Sequence, residues 1–171
     1  LFLGAHVYSD VTRFKVVRYG NVAGSRGSVF EIWKDAALAK RTLEVTHPSA
    51  TRFWLPVGDA VDLVIEASRV DGSGRLLIPT AVSSSLLTAI KAVAQGSPYL
   101  VTGRMGRGEK FHETLLVPEE AARAVGRPFG WEVYPDEPPD AGRVADEFTY
   151  SSDTNPDRIE DPEILRYRLG L

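Results

Sequence analysis

Arg18-Tyr-Gly-Asn-Val-Ala-Gly-Ser-Arg-Gly-Ser-Val29 follows directly on the apolar run Phe14-Lys-Val-Val17. The β-branched pair Val16 and Val17 favours a strand. The segment after it holds three glycines, two arginines, two serines and one asparagine, too polar for a core. Gly20, Gly24 and Gly27 allow close backbone approach or positive φ. Phe30 to Arg41 then reads as a helix. A strand that ends in such a loop and enters a helix is a place where α/β proteins hold ligands.

The rest of the chain alternates in the same way, which points to the α/β class. Helices are expected over 57–68, 84–94, 118–125 and 162–169. Val57, Val61, Val64 and Ile65 share one helical face, and Leu86, Leu87, Ile90 and Val93 another. Ser84 and Ser85 are N-cap candidates. Strands are expected over 14–18, 51–55, 75–78, 99–101, 114–117 and 130–134. Asp71-Gly-Ser-Gly74 reads as a turn, and the Pro-rich stretch 136–142 as an exposed loop.

Composition narrows the class. Hydrophobic residues are 43% of the 171, enough for a core. The net charge of −3 disfavours a nucleic-acid partner. With no cysteine, disulfides and thiolate metal sites are excluded. Apolar runs fall well short of a membrane span. Cytoplasm is the default location.

Three further segments keep the first stretch company: Thr51-Arg-Phe-Trp54, Gly108-Glu-Lys-Phe-His-Glu113, and Phe148-Thr-Tyr-Ser-Ser152 with Asn155. In this order and spacing they resemble the C-terminal half of the extended short-chain dehydrogenase/reductases. More narrowly they resemble the UDP-N-acetylglucosamine 4,6-dehydratases of bacterial surface-polysaccharide biosynthesis. The resemblance runs from about Phe14 to Leu171. It implies the end of a Rossmann domain over 1–30 and a small α/β substrate-binding region with a C-terminal tail over 31–171.

The resemblance also implies chemistry. A nicotinamide dinucleotide, NADP or NAD, oxidises C4 of the hexose, water leaves from C6, and hydride returns. It implies a UDP-sugar substrate and a homo-oligomer. The family's GxxGxxG loop and Tyr-x-x-x-Lys pair do not occur here, since no tyrosine has a lysine four residues on. The chain begins with Leu, and Leu1-Phe-Leu3 with Val7 reads as the buried end of a helix. It therefore reads as the substrate-binding half of a longer enzyme, with catalytic residues upstream. A nucleotide-sugar epimerase on the same scaffold and a non-catalytic nucleotide-sugar-binding module are the alternatives.

Substrate-site candidates follow by position. Arg52 suits a diphosphate, because its planar fork makes paired charge-assisted hydrogen bonds. Asn21 offers both donors and an acceptor to a sugar or phosphate oxygen. Glu109 suits two ribose hydroxyls. The family's Arg-Pro-Gly-Glu becomes Gly106-Arg-Gly-Glu109 here, so its arginine is Arg107, with Arg104 the alternative. The resemblance places Arg26 and Ser28 in a loop over the nucleotide, and Tyr19, Gly20 and Val22 near the nicotinamide ring. Arg26 further resembles the inverting class. His6 and His47 are isolated, and His112 with Glu109 and Glu113 lacks the HExxH order of a metal site. Trp33 and Trp54 are expected in the core, and Asn155 is expected to brace the tail.

Overall fold

The computed structural model describes residues 2–171. In chain order the elements are α1 (Phe2–Ala5), β1 (Lys15–Val17), β2 (Asn21–Ala23), α2 (Val29–Leu38), β3 (Leu43–Val45) and β4 (Thr51–Pro56). Then come α3 (Val57–Arg69), β5 (Arg75–Pro79), β6 (Val82–Ser85), α4 (Leu86–Val93), β7 (Tyr99–Val101) and β8 (Thr114–Leu116). The chain finishes with α5 (Pro118–Ala121), β9 (Ala124–Arg127), β10 (Gly130–Val133), β11 (Tyr150–Ser151) and α6 (Pro162–Leu169). The fold is α/β with parallel strand pairs. It divides into two compact units, each built from three separate stretches of chain.

The first unit comprises Leu1–Tyr19, Gly58–Thr80 and Thr114–Tyr150. Its sheet has the order β1-β5-β10-β9. β1 pairs parallel with β5, Val16 opposite Leu76, while β10 runs antiparallel to both β5 and β9. Leu63 and Ala67 of α3 pack with Leu77 of the sheet, flanked by Val17 and Phe129. The buried stripe of α3 is thus Ala60, Leu63 and Ala67, and Val57, Val61, Val64 and Ile65 are exposed. Both stripes satisfy the helical period. Period identifies the helix, but on a helix with two apolar stripes it does not say which one meets the sheet.

Two other expectations are corrected in this unit. The helix expected over 118–125 ends at Ala121, because Ala124 and Val125 pair with Val133 and Glu132 in a hairpin. The buried helix end expected at residues 1–3 is not buried. Phe2 and Leu3 are helical, but Phe2 and Val7 are exposed and α1 has no buried residue. A single turn is too short to present a repeating apolar stripe. Leu1 lies outside the described residues.

The second unit comprises Gly20–Val57, Ala81–Glu113 and Ser151–Leu171. Its three-stranded sheet has the order β2-β4-β6, with β2 parallel and β6 antiparallel to β4. β3 and β7 form a second, parallel pair. α2, α4 and α6 supply the core, in which the Phe30 ring lies 4.6 Å from Trp54 and 6.1 Å from Trp33. Both tryptophans are core residues, as expected.

Local chemistry sets the helix ends. Ser28 Oγ accepts from the Glu31 N–H, and Glu31 Oε2 accepts from the Gly27 N–H at 2.9 Å. This reciprocal pair satisfies two otherwise unbonded donors at the start of α2. Ser85 caps α4 through the Thr88 N–H at 3.0 Å. Asp161 caps α6, Pro162 opens it, and left-handed Gly170 closes it. The helix expected from Ser84 starts two residues later. Ser84 belongs to β6, opposite Arg52, and accepts from the Trp54 Nε1–H at 2.8 Å. Asn155 braces the tail as expected: Nδ2 donates to the Ala81 carbonyl at 2.9 Å and Oδ1 accepts from the Asp157 N–H.

Candidate functional site

Residues 51–55 of β4 are all buried. A charged residue inside such a strand needs partners. Arg52, 7% exposed, has them. Its Nη1 donates to the Thr51 carbonyl at 2.8 Å and to the Phe111 carbonyl at 3.2 Å. Nη2 donates to Glu109 Oε1 at 2.8 Å, and Nε lies 3.8 Å from Glu113 Oε1. The guanidinium therefore ties β4 to the segment that precedes β8.

Glu109 sits in a loop that turns on Gly103 and Gly108, both at positive φ. Its carboxylate also accepts from Thr46 Oγ1 at 3.0 Å and from the Gly106 N–H at 2.9 Å. Burial pushes its pKa up, but the Gly106 N–H, the Thr46 hydroxyl and Arg52 together hold it below the ordinary value. Glu113 goes the other way. Burial dominates and raises its pKa, against the Phe53 N–H, Arg52 and the Asn21 amide. Its Oε2 accepts from the Phe53 N–H at 3.0 Å. Asn21 Nδ2 donates to Oε1 at 3.2 Å.

These groups meet at one cavity of about 220 Å³ within the second unit. Asn21, Glu44, Thr46, Arg52 and Glu109 supply its polar lining, and Trp33, Trp54 and Leu86 part of its apolar wall. Three residues anticipated from sequence, Asn21, Arg52 and Glu109, thus line one space. The arrangement offers a cation, an amide and two carboxylates on an aromatic floor. That set can bind a polar ligand carrying an anionic group.

The other anticipated residues lie elsewhere. Arg26 and Arg107 are exposed and do not line the cavity. Ser28 is engaged as the cap of α2. Gly20 faces Phe53, whose Cβ would stand 2.5 Å from a Cβ added there. Val22 pairs with Leu55 in the β2–β4 ladder. Tyr19 belongs to the first unit.

Sequence reading misses Thr46 and Glu113 as site residues. Thr46 carries no signal, being one threonine after a short strand. Glu113 closes a motif already quoted, but there its residue type suggests only a metal ligand. His112 directs Nδ1 to Thr51 Oγ1 at 2.8 Å, and Thr51 Oγ1 lies 2.7 Å from Ser152 Oγ. Among the described residues no group of three or more His, Cys, Asp or Glu could hold a metal ion. Nor is any helix among them long and apolar enough to cross a membrane.

The family model for polysaccharide biosynthesis proteins matches residues 2–129. The chain is 31% identical to a UDP-N-acetylglucosamine 4,6-dehydratase (inverting) of Campylobacter jejuni subsp. jejuni serotype O:23/36 (strain 81-176), over 90% of this chain and 50% of that protein. It is 34% identical to a UDP-glucose 4-epimerase of Rickettsia bellii (strain OSU 85-389), over 67% of this chain and 35% of that one. The X-ray structure of Pen from Bacillus thuringiensis superposes with a TM-score of 0.83 at 26% identity, covering 98% of this chain and 52% of that one. The chain spans about half the length of the dehydratases it matches.

Proposed function

We propose, since the chain belongs to the polysaccharide biosynthesis protein family within the extended short-chain dehydrogenase/reductases, that it forms the substrate-binding half of a UDP-N-acetylglucosamine 4,6-dehydratase. The observation that carries this reading is the convergence of Asn21, Arg52 and Glu109 on one cavity.

In this reading Arg52 is the counter-ion of the substrate diphosphate. Three of its donors bond Thr51, Phe111 and Glu109. Of these partners Glu109 is the one that bonds through a side chain, the others being backbone carbonyls, so it is the one that yields. The diphosphate exchanges with the Glu109 carboxylate, which turns to the ribose hydroxyls. The cavity of about 220 Å³ is below the roughly 300–1,000 Å³ of drug-sized ligand sites, in keeping with a loop that moves. Trp54 and Leu86 keep water from the inner wall. This half supplies binding and orientation.

The dinucleotide that the resemblance implies, NADP or NAD, supplies hydride transfer when bound. The resemblance puts Tyr19, Gly20 and Val22 near its nicotinamide ring, and that contact is part of the proposal; Gly20 packs on Phe53 and Val22 lies in a strand ladder, which fixes their backbone. No step through the dinucleotide is assigned to these residues.

The test is to incubate the full-length protein with UDP-N-acetylglucosamine and weigh the product. Loss of one water is expected. A product of unchanged mass would favour an epimerase, a reading that draws on the Rickettsia relatives. Absence of both product and UDP-sugar binding would remove both readings.

A further inference from the structure

Asn21 lines the cavity, but its two amide ends are not equally available. Nδ2 lies 3.2 and 3.4 Å from the two Glu113 carboxylate oxygens and 3.4 Å from the Phe53 carbonyl. All three are acceptors. An amide oxygen turned toward them would meet only other oxygens, so the network fixes which end of the amide faces inward. Glu113 is held in turn by the Phe53 N–H at 3.0 Å. It does not line the cavity itself; it stands behind Asn21 and Arg52, which do.

We infer that Glu113 is a positioning residue that orients the Asn21 amide, so that Oδ1 is the atom offered to the ligand, and that Asn21 selects a hydroxyl or N–H of the substrate rather than a phosphate oxygen. A diphosphate ionised at neutral pH presents acceptors, and an acceptor cannot bond to Oδ1. A sugar hydroxyl, a ribose hydroxyl or an amide N–H can. The site then divides its labour: Arg52 takes the charge, and Asn21 reads a neutral donor. This inference rests on the reading of the cavity as the UDP-sugar site.

The polarity can be inverted with little change of shape. In Glu113→Gln the introduced amide can donate to Asn21 Oδ1, so Asn21 turns and presents Nδ2 to the ligand, at the cost of an Oδ1 that faces the Phe53 carbonyl. The double variant combines Asn21→Asp with Glu113→Gln. There the introduced glutamine donates to the introduced aspartate and accepts from the Phe53 N–H, and an acceptor faces the cavity again. The double variant also leaves the net charge of the protein unchanged.

The experiment is calorimetric titration of the full-length protein with UDP-N-acetylglucosamine, each variant first checked for a single cooperative unfolding transition well above the assay temperature. Glu113→Gln should bind about five- to tenfold more weakly, the scale of one hydrogen bond. The double variant should return to within about threefold of wild type, a rescue that a purely structural Glu113 would not produce. A double variant that binds no tighter than Glu113→Gln overturns the inference. So does a Glu113→Gln protein with wild-type affinity. If wild type itself fails to bind UDP-N-acetylglucosamine, the site assignment falls and the inference falls with it. If wild type binds and only the rescue fails, the site assignment stands alone.

Discussion

Glu109 Oε1 stands 2.8 Å from Arg52 Nη2, so the cation anticipated for a ligand's diphosphate is already neutralised from within the chain. The pair has two consequences. Ligand anions compete with a carboxylate that also has Thr46 and Gly106 as partners. Arg52 also supports the fold, because its other donors reach two backbone carbonyls.

Arg52→Ala is therefore expected to weaken both UDP binding and stability. Loss of the charged hydrogen bonds should cost about 1.5–3 kcal/mol in each. Arg52→Lys keeps the charge but not the fork and should recover only part. Calorimetric titration of the full-length protein with UDP, beside urea unfolding of the same samples, checks both effects. An Arg52→Ala protein that binds UDP like wild type would make this arginine purely structural.

The two carboxylates should leave opposite marks on the pH dependence of stability. Glu113 binds its proton more tightly folded than unfolded, so its contribution is full below its ordinary 4.5 and is lost as pH rises through the raised folded value. Glu109 is depressed, so its contribution is full above 4.5 and is lost as pH falls through the lowered folded value. As pH rises above 4.5, Glu113→Gln should gain thermal stability relative to wild type. As pH falls below 4.5, the deficit of Glu109→Gln relative to wild type should shrink. Melting curves on both sides of pH 4.5 decide the matter; curves parallel to wild type on both sides would refute it.

Gly20→Ala tests a packing role for a glycine in the first quoted stretch. The added Cβ would lie 2.5 Å from Phe53 Cβ and 2.8 Å from the Phe53 carbonyl oxygen. Neither is the flexible end of a side chain, so β2 and β4 must separate. A loss of about 1–3 kcal/mol is expected by chemical denaturation. Unchanged stability would show that the close approach is not required.

Ser28→Ala should cost about 1 kcal/mol through loss of the α2 cap. Ser28→Asp keeps an acceptor and should restore most of it. If Ser28 instead serves the nucleotide, alanine will leave unfolding untouched and raise KM for the UDP-sugar. Thermal melts and steady-state kinetics on the same samples separate the two roles.

Much of the architecture is legible in one dimension. The α6 boundaries follow from Asp161-Pro162 at one end and Gly170 at the other, because caps act through atoms a few residues apart. β1, β5 and β7 sit where their β-branched and apolar runs are. Among the strands that escape a reading of the sequence, β2, β3 and β6 owe their extended form to partners far along the chain, and β9 to its hairpin with β10. Ser83 and Ser84 have no strong strand preference; pairing with Phe53 and Arg52 makes them one.

The same division runs through the site. Sequence alone determined the α/β class, the family and three polar residues of the cavity, because motif order and residue chemistry survive without coordinates. It could not determine that Glu109 bonds Arg52, that Glu113 holds Asn21, or that α3 turns its alanines rather than its valines inward. Those facts depend on which side chains from distant segments come within about 3 Å, and hydrogen bonds and burial fall off too steeply with distance to be read from spacing along the chain. Only the tertiary structure decided them.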